Sequence, residues 1–246
     1  IALAFVTIWA VATITFFLMN LVPGGPFLSE KAISPAATKA LEAKYGLDKP
    51  MAERYFTYIS DAAHGDFGDS LKQRGRTVMD IIATKFPVSA RLGGMAVVLA
   101  LCVGVPLGVL AAYKRGTFID SLFSVIATCG IAVPGFVICT LLLYVFGVKL
   151  QWLPTLGLKS AQSYIMPVVA LAAYPTSYIM RLMRSSMLDV LGQDYMRTAK
   201  AKGLSQKVSL FKHALRNAIL PVITYVGPML AYTLTGSFVT EKIFTI

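Results

Sequence analysis

Five stretches of this chain hold no charged residue: Ile1–Ser29, Leu92–Tyr113, Ser121–Val148, Ser160–Met180 and Asn217–Thr240. Each is long enough to cross a bilayer as a helix, which takes about 20 apolar residues. One such stretch would be compatible with a signal peptide, but five are not. The sequence therefore predicts an all-α, polytopic membrane protein. Composition agrees, since 56% of the 246 residues are hydrophobic and 14% charged, where a soluble domain carries about a quarter charged.

The spans are expected at 1–22, 91–113, 119–148, 163–181 and 217–239. Short loops set the orientation through their Lys and Arg content. Loop 114–120 holds Lys114 and Arg115, and 181–216 holds eight basic residues, whereas 149–159 holds only Lys149 and Lys159. Loops 114–120 and 181–216 are thus expected in the cytoplasm and segment 23–90 outside, with Tyr144 and Trp152 in the outer aromatic belt. The net charge of +11 is read as a topology signal, not as a nucleic-acid footprint. Cys102, Cys129 and Cys139 sit inside apolar runs without metal or redox spacing and read as small packing residues.

Segment 23–90 carries helix signals and reads as a folded insertion. Ser34-Pro35 opens a first helix that stops at Gly46, and Asp48 is expected to cap a second that ends at Gly65. Thr77 and Asp80 have capping-box spacing ahead of IIATKF, with Pro87 as the expected stop.

What is missing narrows function. GxxxxGK[ST] does not occur, so the chain has no P-loop. Both histidines, His64 and His213, lie outside the spans, and no catalytic or metal-binding constellation is evident. Asp120 is the one acidic residue within a span, at its inner end, whereas ion-coupled carriers usually need titratable groups at bilayer depth. An enzyme and a secondary peptide carrier are both disfavoured.

Two segments stand out as candidate sites. In the last span Thr224, Tyr232 and Thr235 share a face, with a kink at Pro228 between them. They either bond a neighbouring helix or, together with a bend at Pro134, line a path for a polar solute. In DYMRTAKAKGLSQKVSLFKHALRNAILP, Asp194–Pro221, Asp194 caps a short helix that Gly203 stops. Ser205 caps the next, whose Val208, Phe211 and Leu215 are expected on one face. Nucleic acid fits no such module. A lipid surface accounts for the lysines, but not for the small Ala199 and Ala201 or the fixed glycine break, which suit a helix seated in a protein groove.

RTAKAKG followed by HALRNAILP resembles the EAA loop of permease subunits from binding-protein-dependent ABC importers. Arg197-Thr198-Ala199 stands where E-A-A would be, Gly203 matches, and Leu220-Pro221 comes later than in the general form, as in the peptide and nickel branch. PGGPF (Pro23–Phe27), EAKYGLDKP (Glu42–Pro50), AHGDFGDS (Ala63–Ser70), FPVSARLG (Phe86–Gly93), QWLP (Gln151–Pro154) and TEKIF (Thr240–Phe244) extend the likeness over the whole chain, toward oligopeptide permeases.

The resemblance implies a MetI-like type I ABC importer permease fold, with 1–246 as a single permease domain and a sixth span after Ile246. It implies a bacterial inner-membrane location, a second permease subunit, an extracytoplasmic peptide-binding protein, and two cytoplasmic ATPase subunits that hold ATP and Mg. No cofactor is expected on this chain. Within loop 182–216 the ATPase-coupling residues would be Tyr195, Arg197, Thr198, Ala199, Lys200, Ala201, Lys202 and Gly203. Oligopeptides are the expected cargo, with dipeptide, glutathione or nickel as the alternative.

Overall fold

A computed structural model describes residues 1–21, 46–70, 73, 75–205 and 208–246. Among them every regular element is helical, apart from one antiparallel bridge between Asp69 and Thr77. The helices are α1 (Ala2–Leu21), α2 (Met51–Ala63), α3 (Val78–Tyr113), α4 (Phe118–Ala132), α5 (Gly135–Leu142), α6 (Ile165–Leu191), α7 (Asp194–Ala201), α8 (Leu215–Ala218) and α9 (Leu220–Ile243). α1, α3, α6 (led in by a 3-10 turn at Ala161–Tyr164) and α9 are each long and apolar enough to cross a membrane. α4 with α5 and its π-helical extension Leu143–Lys149 makes a fifth candidate. The helix expected from Ser34-Pro35 lies outside the described residues.

That fifth candidate differs from the straight span expected over 119–148, because its halves meet at 103°. The break has a local cause. Val133 is extended, as a residue before proline prefers, and Pro134 caps α5 with ψ 139.

Contacts divide the chain into two units, 1–86 and 87–246. In the first, α2 lies along the second half of α1. Arg54 donates to Asn20 Oδ1 at 2.6 Å, the Thr13 and Tyr55 hydroxyls meet at 2.7 Å, and Phe16 and Phe17 pack on Tyr55 and Tyr58. Asp48 does not cap α2: the N-cap is Pro50, without a side-chain bond, and the first turn is held by the Lys49–Glu53 pair at 2.8 Å. The capping box does form, Asp80 N donating to Thr77 Oγ1 at 3.1 Å and Thr77 N to Asp80 Oδ2 at 3.2 Å. Pro87 does not end that helix. α3 runs through Pro87 and Pro106 to Tyr113, because losing one backbone bond costs less than breaking a helix that must go on through an apolar layer.

The second unit is built around α6. Along α3, Ala96, Ala100, Gly104, Gly108 and Ala112 recur every four residues and are buried. A Cβ on Gly104 would sit 2.9 Å from Thr176 O, and one on Gly108 would sit 2.6 Å from Met180 O. Helices meeting in lipid gain little from the hydrophobic effect, so this backbone-to-backbone approach is what holds them together. α4, α5 and α9 also pack on α6. At the far end of α9, Ser89 Oγ donates to Glu241 Oε1 at 2.6 Å, both residues buried, which joins α3 to α9. A buried carboxyl without such a partner would be costly.

Candidate coupling arm and solute path

α6 continues beyond the expected span end at 181 to Leu191, and Gly192 and Gln193 lead directly into α7. A helix of eight residues is marginal alone, so its anchoring decides whether it forms. Met196 is 1% exposed and sits in the core cluster with Met187, Ala214 and Ala218, and Ala199 follows on the same face at 8%. Burying the Met196 side chain contributes roughly 1.5–3 kcal/mol. That outweighs the exposed Asp194–Arg197 pair at 3.5 Å, a class worth well under 1 kcal/mol. Asn217 Nδ2 donates to the Tyr195 hydroxyl at 3.0 Å and ties the arm to the following helix.

The outward face is Arg197, Thr198, Ala201 and Lys202. Ala199 and Ala201 therefore do not form one small-residue ridge: Ala199 serves the chain's own core, and Ala201 is exposed. The Lys200 side chain and residues 206–207, Lys207 among them, lie outside the described groups.

Gly203 ends the arm with φ +75, and Leu204 N bonds back to Ala199 O at 3.3 Å, the six-to-one bond of a Schellman stop. A Cβ at Gly203 meets nothing within 4 Å, so the requirement is conformational, not steric. Ser205 Oγ then accepts from Val208 N at 3.4 Å as a cap.

The segment that follows, Ser209–Ala214, is π-helical, and this changes which residues share a face. Its buried positions are Ser209, Ala214 and, in α8, Ala218. Of the three residues expected on one face, Phe211 and Leu215 line a common apolar groove with Val105, Val109 and Tyr113 of α3, whereas Val208 does not line it; Val208 and Phe211 are exposed, Phe211 at 61%. Bonds closing at i→i+5 widen the turn and bring residues five apart into line. The Ser209 hydroxyl is buried without a hydrogen-bond partner among the described residues.

A charged contact between α4 and α6 was not apparent from the sequence. Arg184 Nε and Nη2 donate to Asp120 Oδ1 and Oδ2 at 2.6 and 2.8 Å, and Gly116 N donates to Oδ2 at 3.0 Å. The available signal was an isolated carboxylate at one end of an apolar run.

Of the expected path residues, Pro134 and Tyr232 come together in a cavity of about 260 Å³, joined there by Tyr174, Thr233 and Thr240. Thr224, Pro228 and Thr235 do not line it. The hydroxyls of Thr224 and Thr235 fold back onto their own helix, donating to Leu220 O at 3.0 Å and Ala231 O at 2.8 Å. Where α6 faces α9, four tyrosines form a row: ring centroids are 4.3 Å apart for Tyr225–Tyr178, 6.4 Å for Tyr178–Tyr174 and 5.4 Å for Tyr174–Tyr232. Three of them escaped sequence reading, although Tyr174 and Tyr178 have the i, i+4 spacing of one helix face.

Residues 104–246 match the model of a family described as binding-protein-dependent transport system inner membrane component. The oligopeptide transport system permease protein OppB of Salmonella typhimurium is 44% identical over 240 residues, covering 97% of this chain and 78% of the relative. The dipeptide transport system permease protein DppB of Bacillus subtilis is 46% identical, covering 98% and 78%. DppB of Lactococcus lactis is 39% identical over 246 residues, covering 100% and 81%.

Proposed function

The chain belongs to the family of inner membrane components of binding-protein-dependent transport systems, and on that premise we propose that it is the permease subunit of an ATP-driven oligopeptide importer. It is a multi-pass inner-membrane protein. In this reading 23–90 faces outward and 182–216 inward, and the path is shared with a second permease subunit. An external binding protein delivers the peptide, and two cytoplasmic ATPase subunits bind and hydrolyse ATP with Mg.

The observation that carries this reading is the arm itself. α7 is held from beneath by Met196 and Ala199 and presents Arg197, Thr198, Ala201 and Lys202 outward, at the end of a helix that also packs against α4, α5 and α9. A groove on an ATPase subunit that grips the outward face moves α6 with it. ATP can bias such a switch only if the ATPases prefer one arrangement of the two arms. Tyr195, the Lys200 backbone and Gly203 set the angle at which the arm leaves the membrane.

A dipeptide importer is the second reading, favoured by the two dipeptide permeases among the relatives. Purification of the chain from its native membrane tests the proposal. P-loop ATPase subunits should copurify, two for each copy of this chain, and their retention should fall when Ala201 is replaced by Glu. A chain that purifies without any ATPase and still takes up peptide contradicts it.

A further inference from the structure

The tyrosine row between α6 and α9 has properties that helix packing does not require. Buried tyrosine hydroxyls usually find a partner. None of the four here has a hydrogen-bond partner among the described residues, and none is sealed from solvent. Tyr232 is 52% exposed, the other three are partly exposed, and Tyr174 and Tyr232 open onto the 260 Å³ cavity at Pro134. α9 runs antiparallel to α6 in sequence order along the row, so Tyr225 pairs with Tyr178 and Tyr232 with Tyr174. The rings thus follow the helices lengthwise instead of clustering at one level. No Asp, Glu, Lys or Arg occurs in 160–180 or 217–240, so the polar character of these facing surfaces comes from uncharged groups, the four hydroxyls among them.

We propose that Tyr225, Tyr178, Tyr174 and Tyr232 form an uncharged ladder that contacts the main chain of an extended peptide during passage. This rests on the importer reading and deepens it by naming the contact and its chemistry. A phenol can donate to a peptide carbonyl or accept from a peptide N–H, and its ring offers an apolar face to side chains. Both features suit any peptide sequence. A fixed charge would favour cargo of opposite charge and hold it. Phenols spaced along the path pass an amide from one to the next without a deep trap.

The test uses the complete importer in vesicles with a radiolabelled oligopeptide carrying one diazirine side chain. Replacing all four tyrosines by Phe keeps the rings and their packing and removes only the hydroxyls. Peptide delivered per ATP hydrolysed should fall about tenfold at unaltered membrane amount, since each lost bond weakens contact modestly and the losses accumulate. In the unaltered complex, photolysis during turnover should attach the peptide within 174–178 and 225–232. A Phe variant that delivers as much peptide per ATP as the unaltered complex overturns the ladder, because packing alone survives that change. Attachment confined to other segments of a complex that transports the probe also overturns it. In both cases the importer reading stands. Absence of ATP-driven uptake by the unaltered complex overturns the two together.

Discussion

Arg184 grips both carboxylate oxygens of Asp120, at 2.6 and 2.8 Å, and so fastens the first turn of α4 to α6, the helix that leads into α7. Such a fork is geometric as well as ionic, and lysine does not reproduce it. Arg184→Lys and Asp120→Asn should each lower the melting temperature of the purified complex. A double-mutant cycle should return a coupling of roughly 1–3 kcal/mol, discounted toward the lower end because the Arg184 side chain is 30% exposed. Additive losses would show that the pair contributes nothing as a pair.

Ala199 and Ala201 give opposite forecasts for the same substitution. Ala199→Glu puts a charge into the seat beside Met196 and should destabilise the arm by about 3 kcal/mol or more. Its signature is faster proteolysis after Arg197 and Lys202 in inverted vesicles. Ala201→Glu should leave that cleavage unchanged and weaken ATPase binding instead. Equal protease sensitivity in both variants contradicts the assignment of inner and outer faces.

Gly203→Val should cost on the order of 1–2 kcal/mol through its left-handed backbone alone, since a side chain there meets open space. The chain should insert in normal amount, and peptide uptake should fall while ATP hydrolysis no longer responds to loaded receptor. Full uptake by this variant, with loss in a variant lacking Lys200, Lys202 and Lys207, points to a lipid-bound segment.

Much of this architecture is legible because it is written in single residues. An absence of charge marks a span, and a glycine marks the left-handed stop at 203. A Thr and an Asp three apart mark the cap at 77–80. Features that depend on two segments at once leave no local trace. The tyrosine row draws two rings from each of two helices that lie far apart in sequence, and the Arg184–Asp120 fork joins positions that carry no shared pattern. Which residues of 208–215 are buried has a different cause. The residues are compatible with an α-helix, and only the π-helical closure of Ser209–Ala214 decides which of them turn inward. Pro87 shows context prevailing over a stop signal, because the apolar layer beyond it demands a helix.

The approach of α3 to α6 makes two glycines of one helix unequal. Gly108→Ala places a methyl group against Met180 O and should destabilise by about 1–3 kcal/mol through overpacking. Gly94→Ala meets nothing within 4 Å and should be neutral or slightly stabilising, since alanine is the better helix former. Thermal melts of the two variants decide the matter, and equal losses would contradict the close crossing.

Orientation follows from single cysteines at exposed positions in a background with Cys102, Cys129 and Cys139 replaced by alanine. An impermeant thiol reagent should label Asp66→Cys on intact spheroplasts and Lys202→Cys only after the membrane is opened. The reverse pattern would invert the topology.

ATP, acting through the arm, is expected to drive peptide through a path that this chain helps to form. Uptake of a labelled oligopeptide into vesicles holding the complete complex measures it most directly, energised either by ATP on the arm side or by an imposed proton gradient. Uptake should require ATP and loaded binding protein, ignore the gradient, and collapse in Gly203→Val. Uptake driven by the gradient without ATP would contradict the account.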